Sequence, residues 1–569
     1  MFKTRSYDLK HPNPIFYRPT YEILNGLWDF CFDYKNVGEK KEYFKGFETD
    51  LKINVPFSYM CDASGIKERK RCDNVWYKRT INIEDITKTY LLHLEGSDYK
   101  TKVWVNNQYI GEDTGAYHRL TFDISNYLVL GENKLVIKCE DSMSTNIPRG
   151  KQRFLRKNFM CWYEETTGIY KDVWIEKLER DYIDSVKITP SRANKTIDFS
   201  VALKGDKAPI GVNIYFKDEL IQSNTFDTLD FTVSLDSIEE WNVLDPALYD
   251  IELTYKNDKV LTYCAFRDLS IKDKKIYLND KELYQKLVLD QGYFDKGDLT
   301  PLSPKDLEND IINSISLGFN GARKHQKRED DRYYYLADIY GFILWAEMPS
   351  AYKSSKKSRE NIYREYTLLV DELYNHPSII VWTPINESWG VYLLRFRNIE
   401  RKFVSSLYDL TKTMDNTRFC LTNDGWEHTK SDILTIHLYN QDPEMLSKNI
   451  DKAINKGVVK SLLPYKYKTF VKGYEYNNQP IIISEFGGTS FISGESKDWG
   501  YGKAVTNNRE YLDRLSKLFG IIIDNKNIVG YCYTQLTDVK QEINGIYTLD
   551  RKLKVSSSDD ILHIQEKED

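Results

Sequence analysis

The sequence predicts three parts: a jelly-roll β-sandwich, an immunoglobulin-like β-sandwich and a (β/α)8 barrel. Three observations predict it. The 569 residues exceed what a single hydrophobic core supports. The stretch before residue 269 contains runs that read only as strands, and after it apolar runs of strand length alternate with amphipathic stretches of helical length.

Residues 1–180 read as short strands separated by Asn, Gly and Asp turn signals. The runs are LWDFCFD, NVWYKRTINI, TYLLHLEG, TKVWVNNQYIGE, NKLVIKCED and YKDVWIEKL, a pattern suited to a jelly roll. Residues 181–268 give a second strand-only segment, with DSVKITP, TIDFSVAL, GVNIYFKD, LDFTVSL, LYDIELTYKND and VLTYCAF. Its length and strand count fit an immunoglobulin-like sandwich. In residues 269–569 the strands are expected in YQKLVLD, NGARK, FILWAEM, IIVWTPINE, TRFCLTNDG, ILTIHLY, PIIISEFG and IVGYCYTQL. Helical stretches separate them, except for a short connection between the fifth and sixth. Such alternation is what a (β/α)8 barrel requires, although a doubly wound open sheet shares it. The stretch 457–479 has no clear period and reads as a long loop.

Composition excludes several classes. The 80 Lys and Arg against 85 Asp and Glu leave a formal charge of −5 with no long basic tract, so nucleic acid is not an expected partner. No apolar stretch approaches membrane-spanning length and the first residues lack a signal-type apolar segment, so the reading is a cytoplasmic protein without a membrane partner. The eight cysteines form no CxxC and no close Cys/His set, which points to reduced, mostly buried thiols. No metal site and no cofactor are implied. The 42 tyrosines and 11 tryptophans suit sugar-stacking clefts, or simply β-core.

Two apolar strand-like runs each lead to a glutamate: VWTPINESWG to Glu387, behind Asn386, and PIIISEFGG to Glu485. Burying an ionised carboxylate is expensive unless it is paired. With strands four and seven ending there, both glutamates fall at the carboxyl-terminal rim, where barrel enzymes keep their chemistry. Cleaving a glycosidic bond needs one carboxyl to protonate the departing oxygen and another to attack carbon or activate water. A separation of about 5–5.5 Å gives retention of configuration and about 6.5–9.5 Å inversion. The competing reading is a pair of rim salt bridges.

These motifs carry a resemblance. INESWG and IISEFGG, with GFNGARKHQKRED and NDGWEHT in the barrel and LNGLWDF, VWYKRT, VWVNNQYIGEDTGAYHRLTFDIS and TGIYKDVWIE before it, resemble glycoside hydrolase family 2. That family contains β-galactosidases, β-glucuronidases and β-mannosidases. The resemblance implies a retaining exo-β-glycosidase acting on an oligosaccharide or glycoside. Glu387 would be the acid/base, its pKa raised by burial, Glu485 the nucleophile, and Asn386 a ligand of the sugar 2-hydroxyl. Tyr439, in HLYN, matches the family's tyrosine by position and would donate to the nucleophile; its plainer reading is a packed rim residue. Arg323 and His325 after strand two, Asp290 after strand one, and Asp424, Trp426 and His428 after strand five are further substrate-binding candidates, against a plainer reading as charges capping strand ends.

Departures from the family bear on the sugar. Its β-glucuronidases hold the uronate with Asn-x-Lys near the carboxyl end, where this chain has Glu542, Ile543 and Asn544. A neutral, galactosidase-like glycone is therefore the expectation, with Arg323 or Lys324 as the substitutes a uronate would need. KLVLDQGYFDKGD also replaces the family's Asn-Arg-His-Glu pattern at strand one. The sequence ends soon after the last barrel strand, so the far side of the pocket is expected from loops or from another subunit of a homo-oligomer. β-Glucuronidase or galacturonidase, β-mannosidase or arabinosidase activity, a non-catalytic carbohydrate-binding protein, and a lyase or isomerase remain as alternatives; the last usually shows metal ligands or a phosphate loop, and neither stands out.

Overall fold

The computed structural model describes residues 9–460, 466–491 and 498–566. In the first sandwich a six-stranded antiparallel sheet (Gly26–Phe32, Lys52–Val55, Asn74–Ile83, Lys100–Val105, Gln108–Thr114 and Gly131–Glu140) packs on a four-stranded one (Tyr21–Ile23, Thr89–Leu94, Leu120–Asp123 and Val173–Leu178). Period-2 alternation turns Val75 and Tyr77 of one sheet towards Leu92, Leu94 and Val173 of the other. Lys52–Val55 and Leu120–Asp123 are too short to stand out in the sequence. The second sandwich has three strands facing four, with Ile197, Phe199 and Val201 against Val212, Ile214 and Ile251.

Eight parallel strands then form the barrel: β1 Gln285–Asp290, β2 Gly321–Lys324, β3 Ile343–Glu347, β4 Ile379–Thr383, β5 Phe419–Cys420, β6 Leu434–Leu438, β7 Ile481–Gly487 and β8 Ile528–Thr534. Their order in the sheet is β5-β4-β3-β2-β1-β8-β7-β6. The β5–β6 seam is spanned by a bridge between Leu421 and Ser431 and by the Asp432 amide donating to the Cys420 carbonyl at 3.0 Å. Helices α1 Pro304–Ser316, α2 Asp331–Tyr340, α3 Lys356–Leu373, α4 Asn398–Met414, α5 Pro443–Lys456 and α6 Asn508–Ile523 occupy the other crossovers, and α7 Ser558–Gln565 follows β8. Local signals start them: Ser303 and Asp306 form a capping box around Pro304, and Asp442 caps α5 behind Pro443.

Alternation along the strands separates two cores. Outward residues such as Val288, Ala322 and Ile483 pack beneath the helices. Inward Leu287, Ile343, Trp345, Val381 and Ile482 fill the barrel. Trp241 and the hairpin residues Ile276 and Leu278 join this inner cluster, and the Trp241 indole donates to the Asp338 carbonyl at 2.8 Å. The linker between sandwich and barrel thus closes the barrel floor. The stretch 457–479 is more ordered than the sequence suggests, because Val458–Lys460 pairs with Lys466–Lys468; residues 461–465 lie outside the described residues. All eight cysteines are free, and no described helix is long and apolar enough to cross a membrane.

Trp241 is wholly buried, so Trp241→Ala leaves a cavity at the floor and is expected to destabilise the protein by about 3–5 kcal/mol. A lowered urea midpoint checks this; an unchanged one shows that the floor does not support the barrel.

Candidate active site

The floor of the site is a charge cluster around Arg323, which is wholly buried. Its Nη1 donates to the Ser484 carbonyl at 2.7 Å and to Glu485 at 3.0 Å. Its Nη2 reaches Glu347 at 2.8 Å, Asp424 at 2.5 Å and the Asn386 side-chain oxygen at 3.3 Å. One guanidinium thereby ties β2 to residues on or after β3, β4, β5 and β7. The sequence reading put Arg323 after strand two; it lies within β2, pointing inward, while Lys324 points outward to Asp290 at 2.7 Å and over the Tyr333 ring of α2.

Glu485 is the fifth residue of β7, and strict alternation from Ile483 and Phe486, both outward, would leave only one of Ser484 and Glu485 facing in. A register irregularity between Ile483 and Phe486 turns both to the interior. Ser484 donates to Asp424 at 2.6 Å and Glu485 accepts from the Tyr439 hydroxyl at 2.5 Å. The Tyr439 ring stacks on Tyr501 with centroids 3.6 Å apart.

Glu387 lies beyond the strand that the sequence reading had it end: β4 stops at Thr383, and Glu387 sits in the following turn with φ 50°, beside Ser388 at φ 57°. The β5 loop clamps that turn, with the Glu387 amide donating to the Asp424 carbonyl at 3.0 Å and the Ser388 amide to the Asn423 side chain at 2.8 Å. Glu387 accepts from Trp389 Nε1 at 3.2 Å, and its other oxygen is 2.8 Å from His437 Nδ1. Glu387, His437 and Glu485 each place one side-chain atom within 4.8 Å of the other two.

The electrostatics overturn one expectation. The acid was expected to have a raised pKa, and burial, the largest influence, does push Glu387 up, but the hydrogen bond and charge of His437 together with the charges of Lys151 and His325 outweigh it and hold Glu387 at about 2. His437 goes the other way: burial pushes it down, and Glu485, Asp424 and Glu387 lift it to about 10. Glu347 rises to about 7, because burial exceeds the pull of Arg323, and burial drives neighbouring His325 well below its usual range.

The other candidates divide into those at the pocket and those beneath or outside it. Trp426 lines a pocket of about 530 Å³ with Trp389, His437, Tyr439, Lys460, Trp499 and Tyr501. Asn386 belongs to the floor, and its buried Nδ2 has no hydrogen-bond partner among the described residues. His325 sits beside Glu347 at 3.2 Å. Asp290 and His428 are not at the pocket: Asp290 faces the helices with Lys324, and His428 pins its loop to β6 through the Thr435 carbonyl at 3.0 Å. Sequence reasoning missed Glu347, His437, and the contribution of the first sandwich. Met160, Cys161 and Trp162 form one wall, with the Lys151 ammonium 5.9 Å from the Trp162 ring centroid. Burial lowers the Lys151 pKa, while Cys161, Tyr352, Glu542 and Glu387 raise it further. Only tertiary packing brings that loop to the barrel. His437 was visible in HLYN, two residues before the tyrosine singled out there.

Comparison with known proteins gives the family. The model for the sugar binding domain of glycosyl hydrolases family 2 matches residues 21–178, and the TIM barrel domain model of the same family matches residues 269–556. The chain belongs to glycosyl hydrolase family 2. This family 2 chain is 24% identical over 496 residues to a putative beta-glucuronidase of Formosa agariphila, covering 80% of this chain and 56% of that one. It is also 24% identical over 500 residues to a beta-galactosidase of Thermoanaerobacterium thermosulfurigenes, covering 82% and 64%. It therefore spans less than two thirds of these relatives' length. The Ruminococcus gnavus beta-glucuronidase shares the fold with a TM-score of 0.80 at 18% identity, over 96% of this chain and 97% of that one.

Replacing Arg323 with Met removes the one guanidinium shared by Glu347, Asp424 and Glu485, and losing one partner of a buried ion pair costs about 3–5 kcal/mol. Arg323→Met is expected to lower the urea midpoint more than Lys324→Met; equal effects count against Arg323 as the hub.

Proposed function

We propose that this protein is a retaining exo-β-glycosidase, with Glu485 as nucleophile and Glu387 as acid/base. The observation that carries this reading is the approach of one carboxylate oxygen of each to within 4.8 Å, with Glu387 lining an aromatic pocket. That separation suits direct attack on the sugar and leaves too little room for the water that inversion requires. Glu485, fixed by Arg323 and Tyr439, faces the anomeric carbon. It displaces the leaving group to give a covalent glycosyl-enzyme, while Glu387 serves the departing oxygen and then activates water for the second displacement. The unpartnered Asn386 Nδ2 is positioned to donate to the 2-hydroxyl. Trp426, Trp389 and Trp499 offer faces for sugar stacking.

For the glycone we propose a neutral, galactosidase-like sugar. Glu542 is buried, accepts from the Tyr163 hydroxyl and from Asn544 at 3.0 Å, and by the family resemblance occupies the place of the Asn-x-Lys expected to hold a uronate. Arg323 and Lys324 are both held by carboxylates. A uronate a few ångströms from Glu485 would be repelled by several kcal/mol at an effective dielectric of about 20. Lys151 supports a second reading, an acidic glycone, because it brings a cation beside Trp162 at the pocket wall.

Glu485→Gln is expected to abolish the covalent intermediate in mass spectrometry of the intact protein. Glu387→Gln is expected to keep turnover on a dinitrophenyl glycoside, whose leaving group needs no proton; equal loss in both variants refutes the assignment. For the glycone, kcat/KM for nitrophenyl β-galactoside or another neutral nitrophenyl glycoside is expected to exceed that for the β-glucuronide by at least about ten-fold, or about 1.4 kcal/mol. A preference for the uronide that Lys151→Gln removes favours the acidic glycone.

A further inference from the structure

His437 sits where no residue of the mechanism above uses it. It is the fourth residue of β6, its side chain is 2% exposed, and its ladder partner on β7 is Glu485. Nδ1 lies 2.8 Å from Glu387 Oε1 and 3.3 Å from Glu485 Oε2, and Nε2 lies 3.4 Å from Asp424 Oδ2. Nδ1 is within hydrogen-bond distance of Glu387, whereas Nε2 is at ion-pair distance from Asp424 without hydrogen-bond geometry. Three carboxylates thus surround one ring, and an imidazolium places its positive charge between them while keeping an N–H on Nδ1 for Glu387. The ring is seated for this. Gly425, at φ +76°, lies so close that a Cβ there would meet the ring atoms Cδ2, Cγ and Nε2 at 2.1–2.2 Å. Asp424 is in turn fixed by Arg323 and Ser484, so the seat is braced by the same cluster that holds the nucleophile.

We propose that Glu387 and His437 act as one acid/base unit, in which the Nδ1 proton of His437 supplies the proton that Glu387 passes to the departing glycosidic oxygen. This rests on the retaining-glycosidase reading. His437 acts through Glu387 and is a positioning residue. In the first step the C1–O bond breaks with its electron pair going to oxygen, which takes a proton from Glu387. The Nδ1 proton crosses to Glu387 Oε1, Glu485 bonds to C1, and the imidazole is left neutral. In the second step a proton of the attacking water passes through Glu387 back to Nδ1 as the C1–Glu485 bond breaks, and the imidazolium is restored.

The groups facing the ring agree with this resting state. They are Glu387 after β4, Asp424 after β5 and Glu485 on β7, with His428 farther off as a like charge if protonated. Their sum keeps the proton on His437 and off Glu387 at neutral pH, with His437 lifted to about 10 and Glu387 held at about 2. A group whose pKa is raised loses its proton only as pH climbs through the raised value. The alkaline limb of kcat/KM therefore belongs to the pair and lies far above the range of a lone carboxyl.

The test uses the full chain. The pH dependence of kcat/KM is measured for the wild type, His437→Gln and His437→Asn on the nitrophenyl glycoside that the wild type cleaves best and on its dinitrophenyl counterpart. The variants are expected to move the alkaline limb down by at least about two pH units, and to lose about 100-fold on the nitrophenyl substrate but far less on the dinitrophenyl one. A limb at the wild-type position, or equal losses on both leaving groups, overturns the proposal. If neither variant folds, 15N-histidine NMR of the wild type at about pH 8, well above the usual histidine pKa of about 6.5, decides it. The assigned His437 ring protonated on both nitrogens supports the unit, and a His437 ring protonated on one overturns it; the signal is told apart from that of His118, which is also raised, by assignment. A wild type inert on every glycoside removes the functional reading and the relay together, whereas an active one with an unmoved limb removes the relay alone.

Discussion

The structure of the site depends on the shared guanidinium of Arg323. Three carboxylates, Glu347, Asp424 and Glu485, converge on it from β3, the β5 loop and β7, inside a core from which water is excluded. A central cation offsets the repulsion between them, since like charges at a few ångströms in a poorly polarisable medium favour protonation or rearrangement, and Glu347 still rises to about 7. Arginine suits the place better than lysine would: its flat fork serves several acceptors at fixed angles and does not give up its proton. The geometry of the reacting groups is therefore set at the floor, one layer below the sugar.

Above that floor the charges alternate in sign. Arg323 holds Asp424, Asp424 faces His437, and His437 reaches both Glu387 and Glu485. Each group sets the state of the next, which explains why a glutamate in a buried pocket has a depressed rather than an elevated pKa. Burial alone gives the wrong sign here, since desolvation, though the largest single influence, is outweighed by the combined pull of His437, Lys151 and His325. The tryptophans around the pocket add area and orientation, and Trp389 also donates to Glu387.

Much of the barrel was legible in the sequence because its strands are fully buried and read as apolar runs, IIVWT and PIII above all, between helices with clear caps. The two glutamates stood out for the same reason, as charges placed against such runs. What the sequence did not reveal was direction. Asp290 and His428 lie close in sequence to site residues yet face the helices or their own loop, and one register irregularity in β7 decides that Glu485 faces inward. Nor could local pattern connect Lys151, Cys161 or Trp162 to a barrel that begins more than a hundred residues later. That connection is made by long-range packing of whole domains, which leaves no periodic trace.

The wall built from Met160, Cys161 and Trp162 gives the pocket two owners. The reacting groups belong to a core in which almost any exchange upsets a neighbour's charge, whereas the sandwich loop is held to the barrel mainly through its backbone, the Met160 and Trp162 carbonyls accepting from Trp499 and Gln541. A barrel separated from its sandwich would keep its reactive groups and lose one side of its grip.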